Sequence, residues 1–298
     1  MRNWRDLQSL AYLIALPLLV IWQWHFGFSW WLFALELFLT LGVGVIHHNH
    51  AHVRIWNHKK LNRLTDLWIT LLQGHPTFVF HVAHAANHHR YRHSEKDITR
   101  TYRFFTPGAG GDSNHLLGYL LHPIQATFVL YPLFLETLNH YFYRHRNYFY
   151  YCVLQYVIVL GAWLTLSLID WKKWLVLVLL PQLHGLHWLL ATNYLQHAHA
   201  DGSADYASIK NYNYARNFYG LLNPLLFNIG LHTAHHEHAR AHWSQLPLLN
   251  RAYKDKVAPQ LQEPSLLGYM LRVYVLGIFS ARLRTQTLYK RNGYADSL

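Results

Sequence analysis

The chain has 298 residues, of which 52% are apolar and 13% charged, about half the charged share of an ordinary soluble domain. Lys and Arg number 26 against 14 Asp and Glu, a net charge of +12, yet the cations sit between long apolar runs. That layout argues against a nucleic-acid-binding domain and for contact with membrane lipid or an acidic protein. A lone cysteine, Cys152, excludes a disulfide framework and a thiolate metal site, whereas 25 histidines supply neutral imidazole ligands in excess.

Residues 8–24 and 29–46 are apolar runs close to the ~20 residues that cross the hydrocarbon core as a helix. The short link HFGF makes them a helical hairpin. Arg2 and Arg5 precede the first run and no small-residue cleavage site follows it, so it reads as an uncleaved membrane helix. After Ile46 the chain is basic: Arg54, Lys59, Lys60, Arg63, Arg90, Arg92, Lys96, Arg100 and Arg103. The positive-inside bias makes this the cytoplasmic face.

Residues 67–80 are apolar but short and contain Gly74, His75 and Pro76, which fits an interfacial piece. PGAGGD at 107–112 is a loop. Residues 116–138 carry His122, Pro123, Gln125 and Pro132 and are expected in or near the interface. Residues 148–169 and 174–192 form a second hairpin joined by DWKK. Lys172 and Lys173 weigh against the orientation; Arg144, Arg146, Lys210 and Arg216 favour it. From Asn193 to about Pro264 the chain is more polar, 265–280 reads as an amphipathic helix, and 282–298 as a basic tail. The expected fold is a single all-α integral membrane domain over 1–298. It has four transmembrane helices plus interfacial helices and a cytoplasmic His-rich catalytic region.

Four histidine clusters stand out: HHNHAH at 47–52, HAANHH at 84–89, NYLQHAH at 193–199 and HTAHH at 232–236. Residues three or four apart share a helix face. His48 and His52, His84 with His88 and His89, Asn193 and His197, and His232 with His235 and His236 all have that spacing. Each cluster can aim two or three side chains at one point, and the expected topology brings all four out on one side of the membrane. His47, His50, His81, His93, His199 and His238 read equally well as interfacial or core histidines. An all-nitrogen donor set suits Fe, Zn, Cu or Ni. Structural zinc takes four ligands, usually with Cys, so eight or more imidazoles suggest two metals with open positions. Soluble di-iron bundles rely on several Glu, and carboxylates are scarce near these clusters.

HNHAH (48–52), HAANHH, NYLQH (193–197) and HTAHH resemble the histidine boxes of the membrane fatty acid desaturase superfamily. DITRTYRF after the second box and ARNFYGLLNPLLFNIGLHTAHHEHARAHWSQLP (215–247) resemble bacterial members. The resemblance covers roughly residues 40–250 and implies two iron ions and O2 as co-substrate. The implied ligands are His48, His52, His84, His88, His89, His197, His232, His235 and His236, with Asn193 acting directly or through a water. An HxxxxH first box would choose His47 with His52; the HxxxH form, favoured here, chooses His48. The second box has three residues before its HH pair where two are commoner, a widening shared with hydroxylase-type relatives.

The implied activity is O2- and two-electron-dependent removal of neighbouring hydrogens from a fatty acyl chain, which leaves a cis double bond. Hydroxylase, acetylenase or decarboxylase chemistry on the same scaffold is the alternative. A metal-binding membrane protein or transporter is the non-enzyme reading, disfavoured because the clusters sit at span ends. The implied substrate is an acyl chain on lipid, CoA or acyl carrier protein. The implied partners are membrane lipids and a separate electron donor such as ferredoxin with its reductase, and nucleic acid is not expected. His47, Asp97, Asp201, Asp205 and Glu237 are candidates to hydrogen-bond the ligating imidazoles. His184 and His187 lie within the fourth run, where a helix–helix contact is the favoured role.

Overall fold

A computed structural model describes residues 1–94, 96–101, 114–200 and 210–288. Asp201, Asp205, Arg103, the 107–112 loop and the end of the basic tail lie outside the described residues. The described chain is overwhelmingly helical, and a two-residue parallel ladder pairs β1 (Asn217–Phe218) with β2 (Gln262–Glu263).

Among the described residues, four helices are long and apolar enough to cross a membrane: Trp4–Phe26, Trp30–His52, Leu116–Arg144 and Arg146–His197. The first two contain α1 (Leu7–Phe26) and α2 (Trp30–His52), the expected hairpin. The last spans 52 residues, roughly 78 Å at helical rise and far more than the ~30 Å hydrocarbon core. It comprises α6 (Arg146–Trp174), a π-helical turn (Leu175–Leu179) and α7 (Leu180–His197). The break falls at Asp170, whose backbone is extended (φ −157°, ψ 97°). Asp170 Oδ1 accepts from the N–H groups of Lys172 and Lys173, each at 3.1 Å. That is an N-cap for a new helix, so DWKK turns the chain between two span-length pieces.

The 116–138 segment departs from its interfacial expectation. It belongs to α5 (Leu116–Arg144), also long and apolar enough to span. His122 is buried and packs on Tyr194 (5.0 Å between rings), while Phe128, Tyr131 and Leu135 stay exposed. A polar residue turned inward leaves the outer face apolar. Residues 67–80 match expectation better. They hold the end of α3 (Lys59–Gln73), too short to span, and the start of a helical run, α4, over 78–91.

The chain divides into two compact units, residues 1–82 with 131–189, and residues 83–130 with those from 190 onward. In the first unit α1 packs on α2, α2 on α3, and α3 on α6. A Cβ on Gly42 would run into the ring of Tyr12, so the glycine sets how closely α2 approaches α1. The interior is polar where the outside is greasy, as a lipid solvent requires. Gln155 Oε1 accepts from Thr77 N at 2.8 Å and Thr77 Oγ1 at 3.1 Å. Asp66 takes Arg54 at 2.7 Å. The outer faces carry exposed Leu18, Ile21, Trp22, Trp31, Leu160 and Leu168.

The second unit is less regular. Buried Arg216 donates to the carbonyls of Leu195 (2.7 Å) and Ala198 (3.1 Å), which places a cation on the C-terminal end of α7. Asn114 Nδ2 donates to Tyr269 (2.6 Å) and Tyr274 (3.1 Å). Small apolar clusters such as Ala200, Val257 and Leu261 fill the remainder.

Gly74 ends α3 in the left-handed region (φ 70°) against the Gln182 carboxamide. Gly74→Ala combines a strained backbone with that collision. It should cost about 1–3 kcal/mol, read as a lowered melting temperature in detergent. Burial holds the His75 imidazole down to about 4. Between pH 4 and 6.5 the folded chain therefore binds fewer protons at His75 than the unfolded chain does. The stability from neutral His75 is intact above about pH 6.5 and erodes on acidification toward pH 4, by on the order of 3 kcal/mol in total. His75→Gln should remove up to about one proton taken up on unfolding in that window, read as a shallower fall of melting temperature on acidification.

Candidate metal centre

The second histidine box lies on α4, whose His81–His88 segment is π-helical. The turn of a π-helix is wider than that of an α-helix, and such turns recur at functional sites. It lets three imidazoles serve two directions, His88 one way and His84 with His89 another. Arg92 (φ 44°) and His93 (φ 67°) then adopt left-handed conformations and turn the chain back. The return brings Asp97 Oδ2 to 2.6 Å from His88 Nδ1 and 2.9 Å from the His93 N–H. Asp97 Oδ1 accepts from the backbone and hydroxyl of Thr99, each at 2.8 Å.

His197 is the last residue of α7, and its Nδ1 donates to the Tyr214 carbonyl at 2.8 Å. The fourth box forms α8 (His232–Glu237), little more than one turn. Asn217 steadies its start, accepting from Thr233 N at 2.9 Å and donating to Thr233 Oγ1 at 3.1 Å. Gly230 precedes it where a Cβ would meet the Phe218 carbonyl at 2.5 Å, so only glycine fits.

These elements gather His88, His197, His232 and His236, all buried, with one ring nitrogen from each within 4.8 Å of the others. The His88 and His197 Nε2 atoms lie 3.0 Å apart, His197 and His232 3.0 Å, and His232 and His236 3.1 Å. Asp97 and the Tyr214 carbonyl take the Nδ1 protons of His88 and His197. Their Nε2 atoms therefore carry bare lone pairs that face each other. Crowded acceptors of this kind repel unless a cation lies between them, which is the donor chemistry of a transition-metal site. Burial, then the neighbouring His89, His232 and His88, keeps His236 well below the usual imidazole range and hence neutral. Burial alone would raise the Asp97 carboxyl, but its neighbour His88, which donates to it, together with His93 and the Thr99 N–H, holds it well below the usual carboxylate range.

A second set lies in the same unit. His84 and His89 bring their Nε2 atoms to 3.0 Å, and His89 and His235 do likewise. In the other unit, His48 and His52 sit side by side on α2 with ring centroids 5.1 Å apart. His47 pairs with the Thr77 carbonyl at 3.2 Å and packs on Phe80. The HxxxH pair is thus the adjacent one.

Asn193, one turn before His197, donates to the Thr99 carbonyl at 2.8 Å and so ties the Asp97–Thr99 turn to α7. Glu237 touches no imidazole of either set in these bonds. It accepts from Tyr214 OH at 2.8 Å and pairs with Arg92 and Lys210. The Tyr214 ring in turn lies 5.4 Å from that of His236.

The Tyr214 carbonyl and Thr99 escaped the sequence reading, and Arg216 was weighed there only for membrane orientation. A backbone acceptor has no side-chain signature, but Arg216 carried one, a lone cation in YARNFYGLL. His93, placed among the ambiguous histidines, stacks on His197 (5.3 Å, 25°), and burial brings it down to about 3. His50 and His238 have structural partners, the Ile55 N–H at 3.2 Å and Tyr253 OH at 2.7 Å.

Asp97→Asn removes the charge that fixes the His88 tautomer. It should lower metal affinity by roughly 10- to 100-fold, read by competition with a chromophoric chelator, with the helical signal in circular dichroism retained.

The fatty acid desaturase family model matches residues 22–263, a stretch containing all four histidine clusters. No curated protein and no solved structure matches the chain. With the match running over most of its length, the chain belongs to the fatty acid desaturase family.

Proposed function

We propose that the protein is a membrane-bound non-haem di-iron oxidoreductase that desaturates a fatty acyl chain with O2 and two electrons. The observation that carries this reading is the division of imidazoles into a buried quartet and a second set that includes His84, His89 and His235. Two unlike sets suit a pair of metals better than one structural ion. His88, His197, His232 and His236 would hold one iron. His84, His89 and His235 would hold the other, with His48 and His52 completing it. Asn193 would contribute through its side-chain oxygen or a bound water. Bound iron would supply the oxidising power to break an unactivated C–H bond.

The chain's own residues do the holding and the insulating. Asp97 and the Tyr214 carbonyl fix ring orientation, and burial of the quartet excludes bulk water. The basic residues that flank the boxes support an active site on the cytoplasmic face of the membrane, bacterial inner membrane included. They also suit an acidic electron donor such as ferredoxin, served by its reductase. The acyl chain would come from membrane lipid, CoA or acyl carrier protein.

Expression in a host of defined lipid composition tests the reaction. The wild-type chain should add a cis-unsaturated acyl species that His235→Ala fails to make, with at least a 100-fold loss expected when a ligand is removed. A hydroxylated or one-carbon-shorter product would move the protein to the alternative chemistry. Metal analysis of the purified protein should find close to two irons per chain; one zinc without iron would overturn the reading.

A further inference from the structure

One of the two acceptors that orient the quartet has no helix or strand to hold it. The Tyr214 carbonyl takes the His197 Nδ1 proton at 2.8 Å, yet residues 211–216 form neither helix nor strand. Tethers lie on both sides of it. The Ala258 N–H donates to Asn213 Oδ1 at 2.8 Å, and the Arg216 N–H donates to the Gln196 carbonyl at 2.6 Å. Neither bond is made by Tyr214.

The Tyr214 side chain supplies a third tether, and it leads to Glu237. Tyr214 OH donates to Glu237 Oε1 at 2.8 Å. Arg92 Nη1 donates to the same oxygen at 3.0 Å, and Lys210 Nζ pairs with Oε2. The Arg92 guanidinium also lies over the Tyr214 ring, 5.6 Å from its centre. The Glu237 side chain is only 5% exposed. A nearly buried carboxylate with several donors fixes their positions more firmly than an exposed ion pair does.

Three elements therefore meet at one carboxylate. Arg92 follows the second box, and its N–H donates to the His88 carbonyl at 2.8 Å. Tyr214 carries the acceptor for His197. Glu237 directly follows His236 and closes α8, which also carries His232. Every element that brings a ligand to the quartet is tied to Glu237, and none of these bonds touches an imidazole.

We propose that Glu237 and the Tyr214 hydroxyl are positioning residues for the quartet. Their bond, with Arg92, holds the loop carbonyl against His197 and so fixes the tautomer and direction of that ring. This role rests on the reading of the quartet as a metal site. It gives the Tyr214 side chain a task separate from that of its main chain, and Glu237 a task at one remove from the ligands.

The probe is Co2+ alone, titrated into the full-length protein in detergent micelles. Affinity is read by competition with a chromophoric chelator, and site geometry by the d–d absorption bands. Loss of bands in His197→Ala identifies those of the quartet. Tyr214→Phe, which keeps the carbonyl and the ring, should weaken Co2+ at the quartet roughly 3- to 10-fold, and Glu237→Ala roughly 10- to 30-fold. Both should shift the quartet bands, whereas a general loss of stability would lower occupancy and leave band positions alone. The double variant should bind as Glu237→Ala does, within about twofold, because the two residues act through one bond. Glu263→Gln is the control. It weakens the Arg272 ion pair of 2.7 Å in the same unit, and it should leave affinity and bands unchanged. Unaltered affinity and bands in Tyr214→Phe overturn the proposal. So do additive losses in the double variant, or an equal loss in Glu263→Gln at a matched drop in melting temperature. If Glu237→Ala does not fold, Tyr214→Phe decides. A wild type that binds no Co2+ would overturn the metal centre together with this role, while the other outcomes bear on the role alone. Turnover is not needed for any of them.

Discussion

Two Nδ1 hydrogen bonds govern the quartet. While His88 donates to Asp97 and His197 donates to the Tyr214 carbonyl, each ring presents its other nitrogen as an acceptor in a buried space shared with His232 and His236. Without those partners a ring could rotate or change tautomer and let the imidazoles bond one another. With them, the protein holds an arrangement that is unfavourable by itself and favourable around a cation. The turn at Arg92 and His93, the Asn193–Thr99 bond and the Arg216 contacts all keep those two acceptors in place.

Much of this was legible in the sequence. The apolar runs gave the two hairpins, and the spacing of the boxes gave the residues whose rings become neighbours. Spacing could not say which set each histidine joins. His88 and His89 are adjacent in sequence and serve different sets, because successive side chains on a helix point about 100° apart. The acceptor at Tyr214 is a main-chain oxygen and leaves no trace in residue identity. The segment 116–138 shows a related limit: composition records that His122 and Gln125 are polar, and packing decides which way they face.

The first unit solves a different problem with the same means. Gln155 Oε1, Gln182 and Asp66 bond to backbone and side chains of neighbouring helices, so much of the buried polar surface is met within the protein while the apolar outer faces turn to lipid. Glu36 Oε1, Gln73 Oε1 and Gln155 Nε2 are exceptions, buried with no hydrogen-bond partner.

The π-helical stretch His81–His88 bears on how the box tolerates changes in length. A π turn holds one residue more than an α turn of similar rise, so losing one of Ala85 or Ala86 has a nearby α-helical solution that keeps both flanks in phase. The α-helical step from Asn193 to His197 lacks that slack. A deletion there would swing the imidazole about 100° around the helix axis and away from its three companions. Length variation in this scaffold should therefore be absorbed at the second box and refused at the third.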